Sequence, residues 1–329
     1  MTQITAPAAT DSRPEAAAAA DAVFMVRPAA FRRNEVTRPT NSFQSSAPDE
    51  DPERTAARAR EEFDELASAL EQRGIETWVF PGRNSIELPD EVFPNNWVST
   101  HPDGTVVLYP LMAWNRREER RRDILDQLQQ QTGGFRIDRI VDLSHLEQND
   151  CFLEGTGSLV LDHRNRIAYA SLSPRTHVDA LREFGRELDY DIVVFSARGE
   201  RGRAVYHTNC MLSLGEEFAI ACLESIPEVD DRLRLSMRLE RSGREVIELR
   251  ADQLKSFCAN LLQLRAGDKH LIVLSKQARQ ALDQHQLEAL GRHGELVCVD
   301  VGTIEAYGGG SVRCMLTELR LPRKAQSAD

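Results

Sequence analysis

The sequence predicts an α/β fold, a five-bladed α/β-propeller made of pseudo-fivefold ββαβ repeats. Three observations lead there. A hairpin, a helix and a further strand recur in the same order along the chain. The last copy is complete only if the two ends of the chain are joined. Five polar residues fall at matched places in the five copies, at spacings of 58, 53, 53 and 54 residues. Repeats of this size mean a solenoid or a propeller, and closure through shared ends favours the propeller.

The copies read in order as follows. NNWVSTHPDGTVVLYPL (95–111) sets two apolar runs around Pro102-Asp103-Gly104, a hairpin signal. A charged segment, 117–130, then carries Ile124, Leu125 and Leu128 at helical spacing, and RIDRIVDL (136–143) reads as a strand. The second copy has EGTGSLVLDHRNRIAYASL turning at His163 to Asn165, a helix face of Val178, Leu181, Phe184 and Leu188, and the strand DIVVFSA. The third has HTNCMLSLGEEFAIACL, a helix with Val229, Leu233, Met237 and Leu239, and EVIELRA. The fourth has FCANLLQLRAGDKHLIVLS, a helix N-capped by Ser275 with Ala278, Leu282 and Leu290 near one face, and ELVCVDV. The fifth is split: SVRCMLTELRL near the end pairs with VFMVRP near Val23. Its helix carries Phe63, Leu66 and Leu70 and stops at Gly74, and ETWVFPG is its third strand. Residues 1–21 and 323–329 read as disordered tails around one domain, 22–322.

Composition bounds the function. The chain has 329 residues, 41% of them hydrophobic, and a net charge of -11, which argues against nucleic acid or an anionic membrane as the main partner. No apolar run approaches the roughly 20 residues of a membrane helix. The arginine runs at Arg116-Arg117 and Arg120 to Arg122 are interleaved with glutamates and read as a solvated helix face. The six cysteines show neither C-x-x-C pairing nor zinc-like spacing, so no metal site is expected. Five of them sit in apolar, strand-like runs and read as small buried hydrophobes. A reducing, cytoplasmic setting fits this usage. The oligomeric state is open, with a homo-oligomer compatible.

The register series carries the chemistry. Asn96, Glu154, His207, Asn260 and Cys314 open the first hairpin strand of successive copies. In a fivefold ring equivalent positions converge on the axis, so these residues are expected to share one pocket. Cys314, His207 and Glu154 are the types that thiol catalysis needs: a thiolate attacks, an imidazole moves protons, and a carboxylate orients the imidazole. Gly308, Gly309 and Gly310 before Cys314 suit a close backbone approach and a loop that opens.

FPNNWVSTH, FLEGTGSLVLD, YHTN and GGGSVRCM together resemble the motifs of the guanidino-group-modifying (pentein) superfamily, over roughly residues 22–322. MVRPAAFRRNEVTRPTNSFQ and SFCANLLQL bring the citrulline utilisation hydrolase branch nearest. The resemblance implies the same propeller, Cys314 as nucleophile, His207 as general acid/base and Glu154 beside it, with no cofactor. It also implies a small amino acid as partner. Asp90 matches a position that holds the α-amino group, and Arg116 and Arg175 match arginines that hold the α-carboxylate. The segment around Asn41 reads either as part of a lid or as a plain turn.

The chain departs from that pattern at two places. Dimethylarginine hydrolases place an acidic pair after a phenylalanine, where this chain has Phe93-Pro94-Asn95-Asn96; Asn209 replaces an aspartate of the deiminases. An amide presents donors and one acceptor without charge, so a neutral ureido group becomes acceptable. Citrulline hydrolysis to ornithine, ammonia and carbon dioxide is the leading expectation. Arginine dihydrolase, arginine deiminase and dimethylarginine hydrolase activities are the alternatives, with a pentein-fold binding module as the non-enzyme reading.

Overall fold

The middle strand of each unit is apolar at successive positions, so both of its faces have to be covered, and that requirement organises the molecule. The computed structural model describes residues 19–45, 51–84 and 86–324. Among them, five three-stranded sheets share one plan: the first strand runs antiparallel to the middle one, and the third runs parallel to it. β1 (Ala22–Arg27) lies between β2 (Glu76–Pro81) and the last strand of the chain. Next come β3 (Val98–Thr100), β4 (Thr105–Leu108) and β5 (Arg139–Asp142), then β6 (Val160–Asp162), β7 (Ile167–Ser171) and β8 (Asp191–Phe195). β9 (Leu212–Leu214), β10 (Phe218–Ala221) and β11 (Glu245–Glu248) form the following sheet. β12 (Leu262–Ala266), β13 (Lys269–Ser275) and β14 (Glu295–Val299) form the last whole one. β15 (Thr317–Glu318) then pairs back onto β1, with Val23 opposite Glu318. The two ends of the chain do complete one sheet.

Helices fill the spaces between sheets. α1 (Pro52–Glu71) starts where the Asp51 side chain accepts from the Glu53 amide. α2 (Arg122–Gln130), a single turn α3 (Gly155–Ser158), α4 (Val178–Leu188) and α5 (Val229–Arg241) follow. α6 (Lys276–Ala281), capped by Ser275, α7 (Gln284–His293), α8 (Gly302–Gly308) and the turn α9 (Val312–Met315) complete the set.

The apolar clusters pass from one middle strand to the next. Val23 and Met25 of β1 share a core with Phe63 and Leu66 of α1 and with Leu271 and Val273 of β13. Phe24 and Val26, on the other face of β1, pack with Ile124 and Leu128 of α2 and with Val106 of β4. Val107 then joins Leu181 and Phe184 of α4 and Ala168 of β7. Tyr169, Leu239 of α5, Ile220 of β10 and Ile272 of β13 occupy the last cluster, which leads back to the first. Strand alternation therefore commits β1, β4, β7 and β13 to two cores at once, whereas both faces of β10 belong to a single cluster.

Several expectations change in detail. The chain is packed from Ala19 rather than Ala22: Ala19 and Ala20 are buried, and Ala20 bridges Leu264. At the other end Arg323 is still engaged, stacked on Phe135 and paired with Glu76. Residues 1–18 and 325–329 of the two expected tails lie outside the described residues. The expected helix 117–130 begins only at Arg122, because Arg120 and Arg121 are extended. Nor is that stretch a solvated face, since Arg116 and Arg121 are buried.

On α5 the core side is Leu235 and Leu239, while Val229, Leu233 and Met237 are 55%, 55% and 45% exposed. The sequence offered two apolar stripes on this helix, and only one meets a sheet. The fourth helix divides into α6 and α7 because Asp283 caps a new start with Gln286. Of the five cysteines expected to be buried, Cys298 is exposed and Cys151 half-buried, on the outer edges of their units. Among the described residues, no helix is long and apolar enough to cross a membrane.

Candidate active site

Each residue of the register series lies in or beside a short turn just before the first strand of its unit, not in the strand itself. Asn96 ends the turn Pro94–Asn96, Glu154 precedes α3, His207 precedes the turn Thr208–Cys210, and Cys314 sits in α9. The turn breaks the pleat, and the side chain is released from strand alternation. A small cavity is lined by Cys314, His207, Asn96, Asp90, Arg116 and Arg175, together with Asn41, Phe93, Tyr206, Gly308 and Gly310. The thiol of the last unit and the imidazole of the third therefore open into the same space.

Glu154 is fully buried and His207 is 1% exposed. His207 Nε2 lies 2.9 Å from Glu154 Oε2. Burial works against the charge of Glu154, but Arg175, His207 and Arg116 outweigh it and hold the carboxyl well below its usual range. An ionised Glu154 can only accept, so His207 donates through Nε2 and Nδ1 remains its basic nitrogen. Burial lowers the His207 pKa to about 4, against the partial support of Glu154, so the imidazole is neutral near pH 7. Gly157 makes room for the ring: a Cβ there would stand 2.5 Å from His207 Nδ1.

Two buried arginines flank this pair. Arg175 Nη1 lies 3.4 Å from Glu154 Oε2, and its guanidinium stacks 4.8 Å from the Tyr206 ring centre. Its other donors reach the Thr37 carbonyl at 3.1 Å and the Thr40 hydroxyl at 3.0 Å. Arg116 is held by Glu119 through Nε at 3.0 Å and Nη2 at 2.8 Å, and donates to Asn96 Oδ1 at 2.9 Å. Burial opposes its charge, yet Glu119 and Asp90 keep its pKa above the ordinary value. Asp90 accepts from Asn34 at 2.8 Å through Oδ2. Its Oδ1 is buried without a hydrogen-bond partner, and burial raises its pKa. An orphaned carboxylate oxygen on a residue that lines the cavity is suited to a cationic guest.

The amides are equally constrained. Arg116 can only donate, so Asn96 turns Oδ1 toward it and Nδ2 toward Asn95 Oδ1, at 2.9 Å. Asn95 supports Asn96 from behind and does not line the cavity, and its own Nδ2 is unpartnered. Asn209 also lies behind the cavity wall, with Nδ2 3.2 Å from the Thr156 carbonyl and 3.6 Å from Cys314 Sγ. Asn41 does line the cavity, and its amide grips the Gly308 and Gly309 carbonyls at 3.2 and 3.3 Å. Gly309 has φ +65, and a Cβ on it would stand 2.5 Å from Asn41 Nδ2. The triglycine serves tight packing against Asn41 and Gln44.

The sequence reading left two residues without a role. Glu119 stands three positions after Arg116, a helical spacing that could have flagged the pair. Asn260 was already in the register series, and it lies with Nδ2 3.3 Å from Cys314 Sγ. Cys151, His177 and Asp179 bring metal-ligating atoms within 4.8 Å of one another on the outside of the second unit. There Asp179 pairs with Arg182 at 2.6 Å, and His177 Nδ1 accepts from the Asp179 amide at 3.2 Å.

Known structures share this architecture. The N-terminal domain of ArgZ, covalently bound to a reaction intermediate, superposes with a TM-score of 0.69 at 17% identity, over 92% of this chain and 98% of that one. The apo form of ArgZ, an arginine dihydrolase from the ornithine-ammonia cycle in cyanobacteria, has a TM-score of 0.69 at 18% identity. Here 92% of this chain spans only 41% of the other. A dimethylarginine dimethylaminohydrolase in adduct with S-methyl-L-thiocitrulline gives a TM-score of 0.63 at 16% identity, over 91% of this chain and all 100% of the other. No curated protein sequence matches. The family model described as N,N dimethylarginine dimethylhydrolase, eukaryotic, matches residues 27–321, nearly the whole described chain. The chain belongs to that family, and through it to the pentein guanidino-modifying superfamily, whose dimethylarginine hydrolases and dihydrolases act on amidino C–N bonds.

Proposed function

We propose that this protein is a cysteine-dependent hydrolase that cleaves terminal C–N bonds of a guanidino or ureido amino acid, with citrulline to ornithine as the step its site favours. Arginine dihydrolysis includes the same step as its second half, so an arginine dihydrolase is the neighbouring reading. The observation that carries the proposal is the shared cavity: Cys314, a neutral His207 backed by an ionised Glu154, and Asp90, one of whose oxygens has no hydrogen-bond partner, line one cavity or stand directly behind it. The succession of cores that returns to its start supports a closed five-bladed propeller, residues 19–324 acting as one catalytic domain.

In this mechanism Asp90 Oδ1 receives the α-ammonium and Arg175 the α-carboxylate, exchanging its contacts to Thr37 and Thr40 for the substrate. Arg116, already saturated by Glu119 and Asn96, chiefly fixes Asn96. His207 Nδ1 takes the proton of the Cys314 thiol, and the sulfur attacks the ureido carbon. The chain nitrogen leaves as ornithine with that proton, its C–N bond broken and the carbamoyl group left on sulfur. Nδ1 of His207 then takes a proton from water, whose oxygen attacks the thiocarbamate carbon. The C–S bond breaks, the proton returns to Cys314, and the released carbamic acid splits into ammonia and carbon dioxide. The balance for citrulline is one water consumed and ornithine, ammonia and carbon dioxide released. The neutral amide of Asn96 offers a donor to the ureido oxygen where a carboxylate would repel it. Incubation with citrulline, arginine and methylated arginines, scoring ornithine against citrulline, tests this. Release of ornithine from citrulline supports it, and turnover of methylated arginines alone would replace it by the dimethylarginine reaction.

A further inference from the structure

The fourth unit contributes Asn260 to the register series, and its side chain is completely buried. Its orientation is fixed from both sides. The Arg313 amide can only donate, and it lies 3.1 Å from Asn260 Oδ1. The Asn209 carbonyl can only accept, and it lies 3.3 Å from Asn260 Nδ2. The second N–H of Nδ2 is thereby left for Cys314 Sγ, at 3.3 Å. Asn209 adds a longer donor to the same sulfur, at 3.6 Å. No carboxylate hydrogen-bonds the sulfur among the described residues; its hydrogen-bonding neighbours are the two amides. Asn260 Oδ1, 3.7 Å away, accepts from the sulfur only while it is protonated, a longer contact than the 3.3 Å donor.

We infer that Asn260 is a further residue of the catalytic apparatus: its amide donates to the Cys314 sulfur, favours the ionised form and holds it toward the cavity, while its carbonyl oxygen fixes the backbone of Arg313 immediately before it. A hydrogen bond to the charged form of a group stabilises that form, and the thiolate is the nucleophile. This inference rests on Cys314 being the nucleophile.

Asn260→Asp separates the two tasks. The carboxylate keeps an acceptor for the Arg313 amide and removes the donor to sulfur; Asn260→Ala removes both. The rate of iodoacetamide modification of Cys314, followed by mass spectrometry of its peptide across pH, reads the sulfur directly and without substrate. In both variants the profile is expected to move to higher pH, with modification at a fixed pH near 7 slowed about tenfold. Turnover should fall in kcat with KM little changed. Asn260→Asp also sets a buried carboxyl oxygen against the Asn209 carbonyl, so its thermal unfolding temperature should fall, and the alkylation profiles are compared at a temperature where both variants are folded. Profiles that superimpose on wild type would overturn the role of Asn260. Full activity of a Cys314→Ser variant would instead overturn the nucleophile itself, and the alkylation profile would still report on Asn260.

Discussion

Around the sulfur of Cys314 the polar groups are carboxamides, those of Asn209 and Asn260, whereas around Glu154 they are ions, with Arg116 and Arg175 within 3.7 and 3.4 Å. Both walls are equally buried, so burial does not explain the contrast. The amide wall can follow a sulfur and a carbon whose charge changes during a reaction. The ionic wall holds fixed charges suited to a head group whose own charges are fixed. One wall is built for the reacting end and the other for the end that is only held.

The strongest test removes the sulfur. Cys314→Ala should lower ornithine release by about 10³-fold or more with unfolding unchanged; activity above a tenth of wild type would mean that the amide wall does not surround the nucleophile. The ionic wall is broken by Arg116→Met, which leaves Glu119 buried without its partner. A loss of about 3–5 kcal/mol in denaturant unfolding is expected, and a loss below about 1 kcal/mol would show the ions to be uncoupled.

The two walls also predict opposite pH slopes. His207 is held at about 4 against an ordinary 6.5, so its contribution to stability is present above 6.5 and lost as pH falls through 4. Behind the sulfur, Glu305 bonds Ser311 at 2.6 Å, and burial raises its pKa to about 7 from 4.5, with Ser275 and Ser311 opposing. Its contribution is present below 4.5 and lost as pH rises through 7. Glu305→Gln should flatten the decline between those values, worth at most about 3 kcal/mol, and leave the acid slope of His207 in place. Melting curves from pH 4 to 8 would reveal an unchanged alkaline decline if this is wrong.

Specificity is a smaller effect. Asn96→Asp makes the amide ionic and should raise the kcat/KM ratio of arginine over citrulline by about tenfold; an unchanged ratio would separate Asn96 from substrate choice. The least effect is expected far from both walls. Leu233→Glu, on the exposed stripe of α5, should change stability by no more than about 0.5 kcal/mol, and a larger loss would show that this face is covered.

Much of this was legible before folding. Gly74, the Pro102-Asp103-Gly104 turn and Ser275 marked boundaries that hold, because local sterics and capping act within a few residues. Cys314, His207 and Asn96 line one cavity, as their shared register anticipated, since equivalent places in a repeat meet equivalent neighbours. The core side of α5 was misread because both stripes of that helix are apolar, and only the position of the sheet selects Leu235 and Leu239. Arg116 looked like a surface charge, since nothing nearby in sequence reveals that Asp90, Asn96 and Glu154 will enclose it.

Sequence alone settled the order of strands and helices, the joining of the two chain ends in one sheet, and that Asn96, His207 and Cys314 share one cavity. Those follow from periodicity and short-range chemistry. Tertiary structure decided which nitrogen of His207 faces Glu154, which way the amides of Asn96 and Asn260 point, and that Asp90 keeps one oxygen free. Each of these depends on a donor or acceptor supplied by a distant part of the chain, and hydrogen-bond direction is fixed only when both partners are in place.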